Sequence, residues 1–491
     1  MTIPPSFVVF SGGSACNHIT KSFQSVSPNI SYIIGISDNG GSSSELQRLL
    51  GGPAIGDFRS RLTRLIDTVD PCPSDERMAI RDLLSHRLSG DPSIVKDEWA
   101  AIAEGRHSLW KKIPADKKET IRGFLTHFNG EILKRAHKRF NFCNGSVGNF
   151  FLTGARCFFG SLEAALFLFS AITGVNEPTS VIPVINTNHT ATIAAVLEDG
   201  QTIIGQCEIS HPSPYHTPAD ICNPIDAFMR LGLDDDNIRS LKDDGDDSNA
   251  MPRDQYGHSS LNHAKEQCNR NLFFSKHTNE HLPASIQRVF YINEYGQEIY
   301  PVPNAKVITQ LSTKRTLVYS MGSLFTSLVP NLILRNIGKA IAESHSLKFK
   351  VLLLNGSHDR ETHGFTAMDF ITTITGALNE SQRIDCRRAF YETAAHLKHH
   401  YLRMTPNMGD HIEPASRSAS QHHSFHGSLD SGYASSNSPM AHFPPFPDQL
   451  FHASSPSVYI THLVYLDKSE IVVDVEAIES IGIKCIQVKS Q

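Results

Sequence analysis

Asp38 is the carboxylate around which a chemistry can be written. It stands in Ser37-Asp38-Asn39-Gly40-Gly41-Ser42-Ser43-Ser44, directly after the apolar run 30–36. At the carboxyl end of a buried strand, an acidic side chain can hold a cation or accept a hydrogen bond from a sugar or base edge. Gly40 and Gly41 let the backbone approach a phosphate, and the three serines bring hydroxyls to the start of a helix. The same residues also compose an Asx turn with capping serines, and the local sequence leaves both readings open.

Four further stretches carry comparable chemistry. Phe7, Val8, Val9 and Phe10 run into Ser11, Gly12, Gly13 and Ser14, a turn that either presents N–H groups to an anion or simply joins strand to helix. Asp57 is placed to cap a helix whose first turn shows Arg59 and Arg61, guanidiniums suited to a bound anion or to solvent. Asn144-Gly145-Ser146-Val147-Gly148-Asn149 precedes the apolar stretch 150–170. An uncharged, buried helix start is an anion site, and Asn149 can offer its amide to a ligand. Met321, Gly322, Ser323 and Thr326 repeat the strand, Gly-Ser turn and helix arrangement. His189, just after a strand over 181–184, reads as a substrate contact, a general acid or a structural histidine.

These residues need elements to hold them. A strand at 7–10, a helix at 15–26 and a strand at 30–36 make a right-handed βαβ unit and imply a parallel sheet. A helix over 45–50 follows, with Ser43 or Ser44 as its N-cap. Residues 66–140 lack strand signals and read as a helical insertion, and 150–170 as one long apolar helix. A hairpin over 192–197 and 201–204 turns at Glu198-Asp199-Gly200. Strands over 316–320 and 348–354, helices over 328–340 and 376–403, and strands over 458–466, 471–475 and 483–488 complete the pattern. The expectation is one α/β domain over 1–491, a Rossmann-like, doubly wound and mostly parallel sheet with helical and disordered insertions. An acidic polar insertion spans 211–285, without EF-hand spacing. A Ser/His/Pro-rich insertion spans 405–456, whose composition cannot offset its ordering entropy.

Composition removes several classes. The 491 residues carry 45 Lys and Arg against 50 Asp and Glu, a formal charge of -5, so neither a nucleic acid nor a membrane surface is an expected partner. Nine cysteines, scattered and without a Cys-x-x-Cys pair, indicate neither a disulfide framework nor a zinc site, and reduced thiols are expected. The first apolar run is four residues long and ends in glycine, and the apolar stretch at 150–175 is interrupted by Arg156 and Glu163. A cytoplasmic protein is the expectation.

Six blocks together are more specific than any one turn. SGGSA (11–15), SDNGGSSSELQRLLGGPAIGDFRSRL (37–62), NGSVGNFFLTGA (144–155), VLEDG (196–200), YSMGSLFTSLVPNLIL (319–334) and NGSHDRETHGFTAMDF (355–370) occur in this order. They resemble the family of the 2-phospho-L-lactate transferase (CofD) and the gluconeogenesis factor (YvcK), with the nearer likeness to the second branch. Ser11 and Ser14 stand where that branch has Gly and Thr, Asn39 where it has a second Asp, and Ser320-Met321 where it has Gly-Pro.

The resemblance implies one of two roles. One branch transfers a phospholactyl-type group from a guanosine diphosphate-linked donor to a deazaflavin acceptor with magnesium. The other binds a UDP-sugar and regulates carbon metabolism or cell-wall synthesis. By this resemblance the ligand is a nucleoside diphosphate-linked small molecule of guanosine or uridine type, and a homodimer is compatible with it. Asp38 and Asn149 are then the catalytic residues, Asp38 also the Mg2+ ligand. The ligand and its phosphates fall to Gly12, Gly13, Ser14, Asn39, Gly40, Gly41, Ser42, Arg59, Ser146, Gly148, His189, Gly322, Ser323 and Thr326. With no covalent nucleophile evident, a transferase would work by positioning an acceptor hydroxyl against a metal-neutralised diphosphate.

Overall fold

The computed structural model describes residues 4–12, 15–38, 40–69, 74–135, 139–175, 177–210, 281–293, 295–404 and 446–489. Most of the expected insertions at 211–285 and 405–456 lie outside these residues. Two compact units are present: Met1–Gln382 with Ala453–Gln491, and Arg383–His452. Within the second unit Phe390 meets Phe446 edge to face, ring centroids 5.7 Å apart.

The first unit contains the strands β1 (Phe7–Ser11), β2 (Ile30–Ile34), β3 (Ser180–Pro183), β4 (Thr192–Leu197), β5 (Thr202–Ile204), β6 (Ile286–Ile292), β7 (Glu298–Ile299), β8 (Thr316–Tyr319), β9 (Phe349–Leu353), β10 (His462–Leu466) and β11 (Lys484–Val488). Seven form one parallel sheet in the order β11-β10-β9-β8-β1-β2-β3. From β1 the chain moves outward to β2 and β3, then returns to β8 on the other side of β1 and moves outward again. This is the doubly wound Rossmann order, with its switch point between β1 and β8. Val8, Val9 and Phe10 have no exposed surface, because helices cover both faces of a central parallel strand. The hairpin β4-β5 belongs to a separate antiparallel sheet, β5-β4-β6-β7.

The helices that matter for the sheet's carboxyl edge are α1 (Thr20–Val26), α2 (Ser42–Leu50), α3 (Gly56–Val69), α4 (Asp75–Ser85), α5 (Val95–Ala103), α6 (Ala115–Leu133), α7 (Val147–Phe159) and α8 (Leu162–Thr173). Helix α7 is central: every residue from Val147 to Arg156 is buried. Aromatic packing fixes where it begins. Phe150 stacks on Phe128 of α6 at 4.7 Å and receives the edge of Trp99 of α5 at 5.2 Å, while the Trp99 indole N–H donates to Asn129 Oδ1 at 3.0 Å.

The structure differs from the sequence reading at several ends. The long helix over 150–170 is two helices: Gly160 ends α7 with φ 62°, and the Ser161 hydroxyl accepts the Ala164 N–H to start α8. Helix α2 starts at Ser42 behind Gly41, φ 53°, and neither Ser43 nor Ser44 caps it. The expected helix over 328–340 is a π-turn at Leu324–Leu328 followed by short helices at Val329–Leu332 and Ile337–Ala342, separated where Asn336 takes φ 61°. Residues 471–475 form no strand; Asp474 instead caps the helix Val475–Ser480 by accepting the Ala477 N–H. Cys16, Cys157, Cys207, Cys386 and Cys485 form no disulfide, whereas Cys143 is disulfide-bonded, against the reduced-thiol expectation.

Candidate functional site

Strand β2 delivers the chain into a loop that Asp38 closes on itself. Its Oδ1 accepts the Gly40 N–H at 3.0 Å, and the Gly40 carbonyl accepts the Ser43 N–H at 3.1 Å. The Asx turn is therefore real, and it orients the carboxylate rather than competing with a ligand role. Helix α3 begins hard against this loop. A Cβ at Gly56 would stand 2.8 Å from Ser43 Oγ and 3.7 Å from Asp38 Oδ2, so a bare glycine lets the two pieces meet.

The first turn of α3 brings Asp57, Arg59 and Ser60 to the same place. Arg59 Nε donates to Asn149 Oδ1 at 3.3 Å, and Asn149 Nδ2 donates to Ser42 Oγ at 2.9 Å. One chain of hydrogen bonds thus joins α3, α7 and α2. Burial above all, with the nearby charge of Arg87, lowers the Arg59 guanidinium to about 10, while Asp57 opposes the shift. Arg87 is also lowered by partial burial. Arg61, two residues on, turns the other way. It is fully buried, donates to Thr20 Oγ1, Ser11 Oγ and the Gly12 carbonyl, and lies over the Tyr32 ring at 4.7 Å. It fastens the end of β1 instead of meeting a ligand.

The resulting cleft has a volume of about 350 Å³ and is lined by Asp38, Gly40, Gly41, Ser42, Ser43, Gly56, Asp57, Arg59, Ser60, Arg87, Asn144 and Asn149. Of the residues expected from sequence, Asp38, Gly40, Gly41, Ser42, Arg59 and Asn149 line it together. Gly148 lies behind: a Cβ there would come within 2.3 Å of the Leu84 carbonyl oxygen and 2.9 Å of Arg59 Cγ. Ser146 is wholly buried at the start of α7, its hydroxyl without a hydrogen-bond partner. His189 is exposed and does not line the cleft. Gly13, Ser14 and Asn39 are outside the described residues.

Gly12, Gly322, Ser323 and Thr326 gather elsewhere on the same sheet edge, at the β1/β8 switch point. Gly12 packs on Ser327, whose Oγ a Cβ at Gly12 would approach to 2.4 Å. Gly322 and Asn355 exchange two hydrogen bonds, at 3.1 and 2.8 Å. The donors of the following turn are already used by an internal carboxyl group. Glu361 accepts the Phe325 and Thr326 N–H groups at 2.9 and 3.2 Å and the Thr326 hydroxyl at 2.6 Å. Burial, reinforced by the Asp359 charge, pushes this carboxyl up to about 8 despite those three donors.

Sequence reasoning missed Arg87 altogether. Nothing local marks it, because it reaches the cleft through backbone pairing between 86–89 and 144–147. Asn144, at φ 55°, could have been found as a residue tolerant of that conformation in a Gly-rich turn.

Among the described residues no group of three or more His, Cys, Asp or Glu side chains is arranged to hold a metal ion. The cleft offers two carboxylates, Asp38 and Asp57. That set fits magnesium, which keeps several waters and binds through one or two carboxylates together with substrate phosphates. No described helix is long and apolar enough to cross a membrane.

A Rossmann-ordered sheet whose carboxyl edge carries a cleft of carboxylates, guanidiniums and small polar residues defines an α/β protein with a polar cleft at that edge. The chain belongs to the CofD family: the profile described as 2-phospho-L-lactate transferase CofD matches residues 7–403. It is similar to the uncharacterized protein YNL011C of Saccharomyces cerevisiae, 41% identical over 383 residues, covering 76% of this chain and 83% of the yeast protein. A Nostoc protein described as a gluconeogenesis factor is 22% identical over 382 residues, covering 78% of this chain and 54% of its own length. A crystal structure of a UPF0052-family protein from Bacillus halodurans aligns with a TM-score of 0.52 at 14% identity, covering 99% of this chain and 93% of that one. This likeness supports the fold alone.

Proposed function

We propose that the protein binds a nucleoside diphosphate-linked small molecule in the Asp38–Arg59–Asn149 cleft and transfers a phosphorus-containing group from it, in the manner of a 2-phospho-L-lactate transferase. The observation that carries this reading is the placing of two carboxylates and a half-buried guanidinium on one cleft, tied together through Asn149. A diphosphate needs both signs of charge: a cation held by carboxylates, and a fixed positive group for the oxygens left over.

Each residue then has a task. Arg59, its Nε turned to Asn149, has further N–H groups with which to meet phosphate oxygens. Asn149, anchored on Ser42, orients the guanidinium. Asp38 and Asp57 would hold magnesium, which supplies charge neutralisation on the diphosphate. The hydroxyls of Ser42 and Ser60 accept hydrogen bonds from Asn149 and Asn17, and neither is set against a general base. Reaction by positioning an acceptor hydroxyl follows, without a covalent intermediate.

A second reading keeps the ligand and drops the turnover. The likeness to the gluconeogenesis factor favours it, as does the turn at 324–328, whose donors Glu361 already occupies. It is a UDP-sugar-binding regulator. A panel of guanosine and uridine diphosphate-linked donors with a deazaflavin-type acceptor and magnesium separates the two. Release of nucleoside monophosphate by the wild type, reduced at least tenfold (about 1.4 kcal/mol) in Asp38→Ala, supports the transferase. Saturable thermal stabilisation by a UDP-sugar without release supports the regulator, and no stabilisation by any donor refutes both.

A further inference from the structure

Arg87 enters the cleft from the connection between α4 and α5, and its backbone is held on two sides. The Val147 N–H donates to the His86 carbonyl at 3.1 Å and the Leu88 N–H to the Gly145 carbonyl at 2.9 Å, so 86–88 runs antiparallel to the entry of α7. From α5, Glu98 binds His86 Nε2 at 2.8 Å with one oxygen and the Ser89 N–H at 2.7 Å with the other. Both Glu98 oxygens are thereby committed to holding this segment, one on the His86 ring and one on the Ser89 N–H. Arg87 donates Nη1 to the Asn144 carbonyl at 3.2 Å. Among the described residues neither Arg87 nor Arg59 has a carboxylate within ion-pair distance.

Two guanidiniums on one cleft, close enough that the charge of Arg87 is felt at Arg59, repel each other. The carboxylates facing them are Asp38 and Asp57, and Asp57 offsets only part of the effect. The arrangement becomes favourable when a group with two negative charges lies between them, since each guanidinium can then donate a planar fork to oxygens. Arg87 remains accessible at the cleft mouth, so it can engage a ligand after entry.

The geometry points to Arg59 and Arg87 as a two-guanidinium subsite for a phosphate dianion, with Arg87 the residue that separates phosphorylated ligands from bare nucleosides. This rests on the cleft being a site for a phosphorylated ligand and goes further by assigning the phosphate to a residue of the helical segment. Arg87 is a specificity-determining residue here.

Calorimetric titration of the full chain with inorganic pyrophosphate, GDP, UDP, guanosine and uridine tests it, in wild type, Arg87→Gln, Arg87→Lys and Lys96→Gln. Lys96 is an exposed cation on α5 that controls for net charge. Loss of an exposed charge-assisted contact is expected to weaken pyrophosphate and both diphosphates about tenfold in Arg87→Gln, with nucleoside affinity unchanged. Arg87→Lys should recover part of the loss at low ionic strength only. Equal pyrophosphate affinity in wild type and Arg87→Gln overturns the subsite, as does an equal loss in Lys96→Gln. If Arg87→Gln does not fold, the Arg87→Lys salt series decides, and a salt-independent affinity equal to wild type overturns it. Pyrophosphate binding that depends on Arg87, without nucleotide binding, sustains the subsite while refuting the nucleotide reading. Nucleotide binding indifferent to Arg87 does the reverse. A wild type that binds no anion overturns both.

Discussion

At the scale of single residues, Glu361 shows how a side chain can fill a place that the sequence pattern assigns to a phosphate. It sits where the turn at 324–328 presents its N–H groups, and it accepts those of Phe325 and Thr326 from 36 and 35 residues further along the chain. Its carboxyl is raised to about 8 from an ordinary 4.5, chiefly by burial. The native state therefore keeps this proton over a range of pH in which the unfolded chain has lost it. Stability from this group is complete below about 4.5 and is lost as pH rises through about 8. Denaturant midpoints measured across that window should fall with rising pH in the wild type and fall less in Glu361→Gln, which carries no titrating proton. Identical slopes in the two proteins would show that the carboxyl is not raised. Glu361→Ala should cost about 1–3 kcal/mol at low pH, where the group's contribution is complete, and less as pH rises toward about 8, because it strips the partner from buried backbone donors.

At the scale of elements, the position of α7 decides whether Arg59 and Asn149 can meet, and glycine decides the position of α7. Gly148 faces the Leu84 carbonyl and the Arg59 stem with no room for a methyl group, whereas Gly123 on α6 has nothing within 4 Å of where a Cβ would stand. Gly148→Ala should lower stability by about 1–3 kcal/mol, since a backbone oxygen cannot step aside, and should weaken ligand binding by shifting Arg59. Gly123→Ala should raise stability by about 0.5–1 kcal/mol by removing a flexible residue from a helix interior. Chemical denaturation of the two variants checks the pair, and equal effects would contradict the packing described. Such contrasts also explain what could be read from the sequence. Strands β1, β2 and β8 were legible because a strand buried on both faces is a largely apolar run, ended here by Ser or Gly, and β9 was legible from the apolar run 351–354 before Asn355 although Phe349 is exposed. The break at Gly160 was hidden because Phe158-Phe159 before it and the apolar residues from Leu162 onward keep the stretch apolar across the Gly-Ser pair. Ile471-Val472-Val473 has strand-forming composition, yet Asp474 commits the chain to a helix, so a local cap overrode propensity. Arg87 was illegible because its place depends on backbone pairing across 57 residues of sequence with 144–146.

At the scale of the molecule, the cleft is assembled from Asp38, 40–43, 56–57, 59–60, Arg87, Asn144 and Asn149, pieces that meet only when the sheet and its helical layer are both formed. A ligand that touches all of them must therefore stabilise long-range packing, not one loop. The parallel sheet supplies the fixed frame: β1, β2 and β8 pair in register, so their carboxyl ends lie on one edge. The antiparallel sheet β4-β7 contributes no residue to the cleft lining. Hydrogen exchange with and without a saturating ligand should accordingly show added protection in 40–60, 86–89 and 144–150, with little change in 192–204 and 286–299. The coupling should also be mutual. Asn149→Ala, which cuts the Arg59–Asn149–Ser42 chain, is expected to reduce the added protection in α2 and α3 together, because that amide bonds to both helices. Protection confined to the β1/β8 switch point would instead put the ligand over Gly12 and Gly322, and would require the Glu361 carboxylate to leave the turn at 324–328 before a phosphate could enter it.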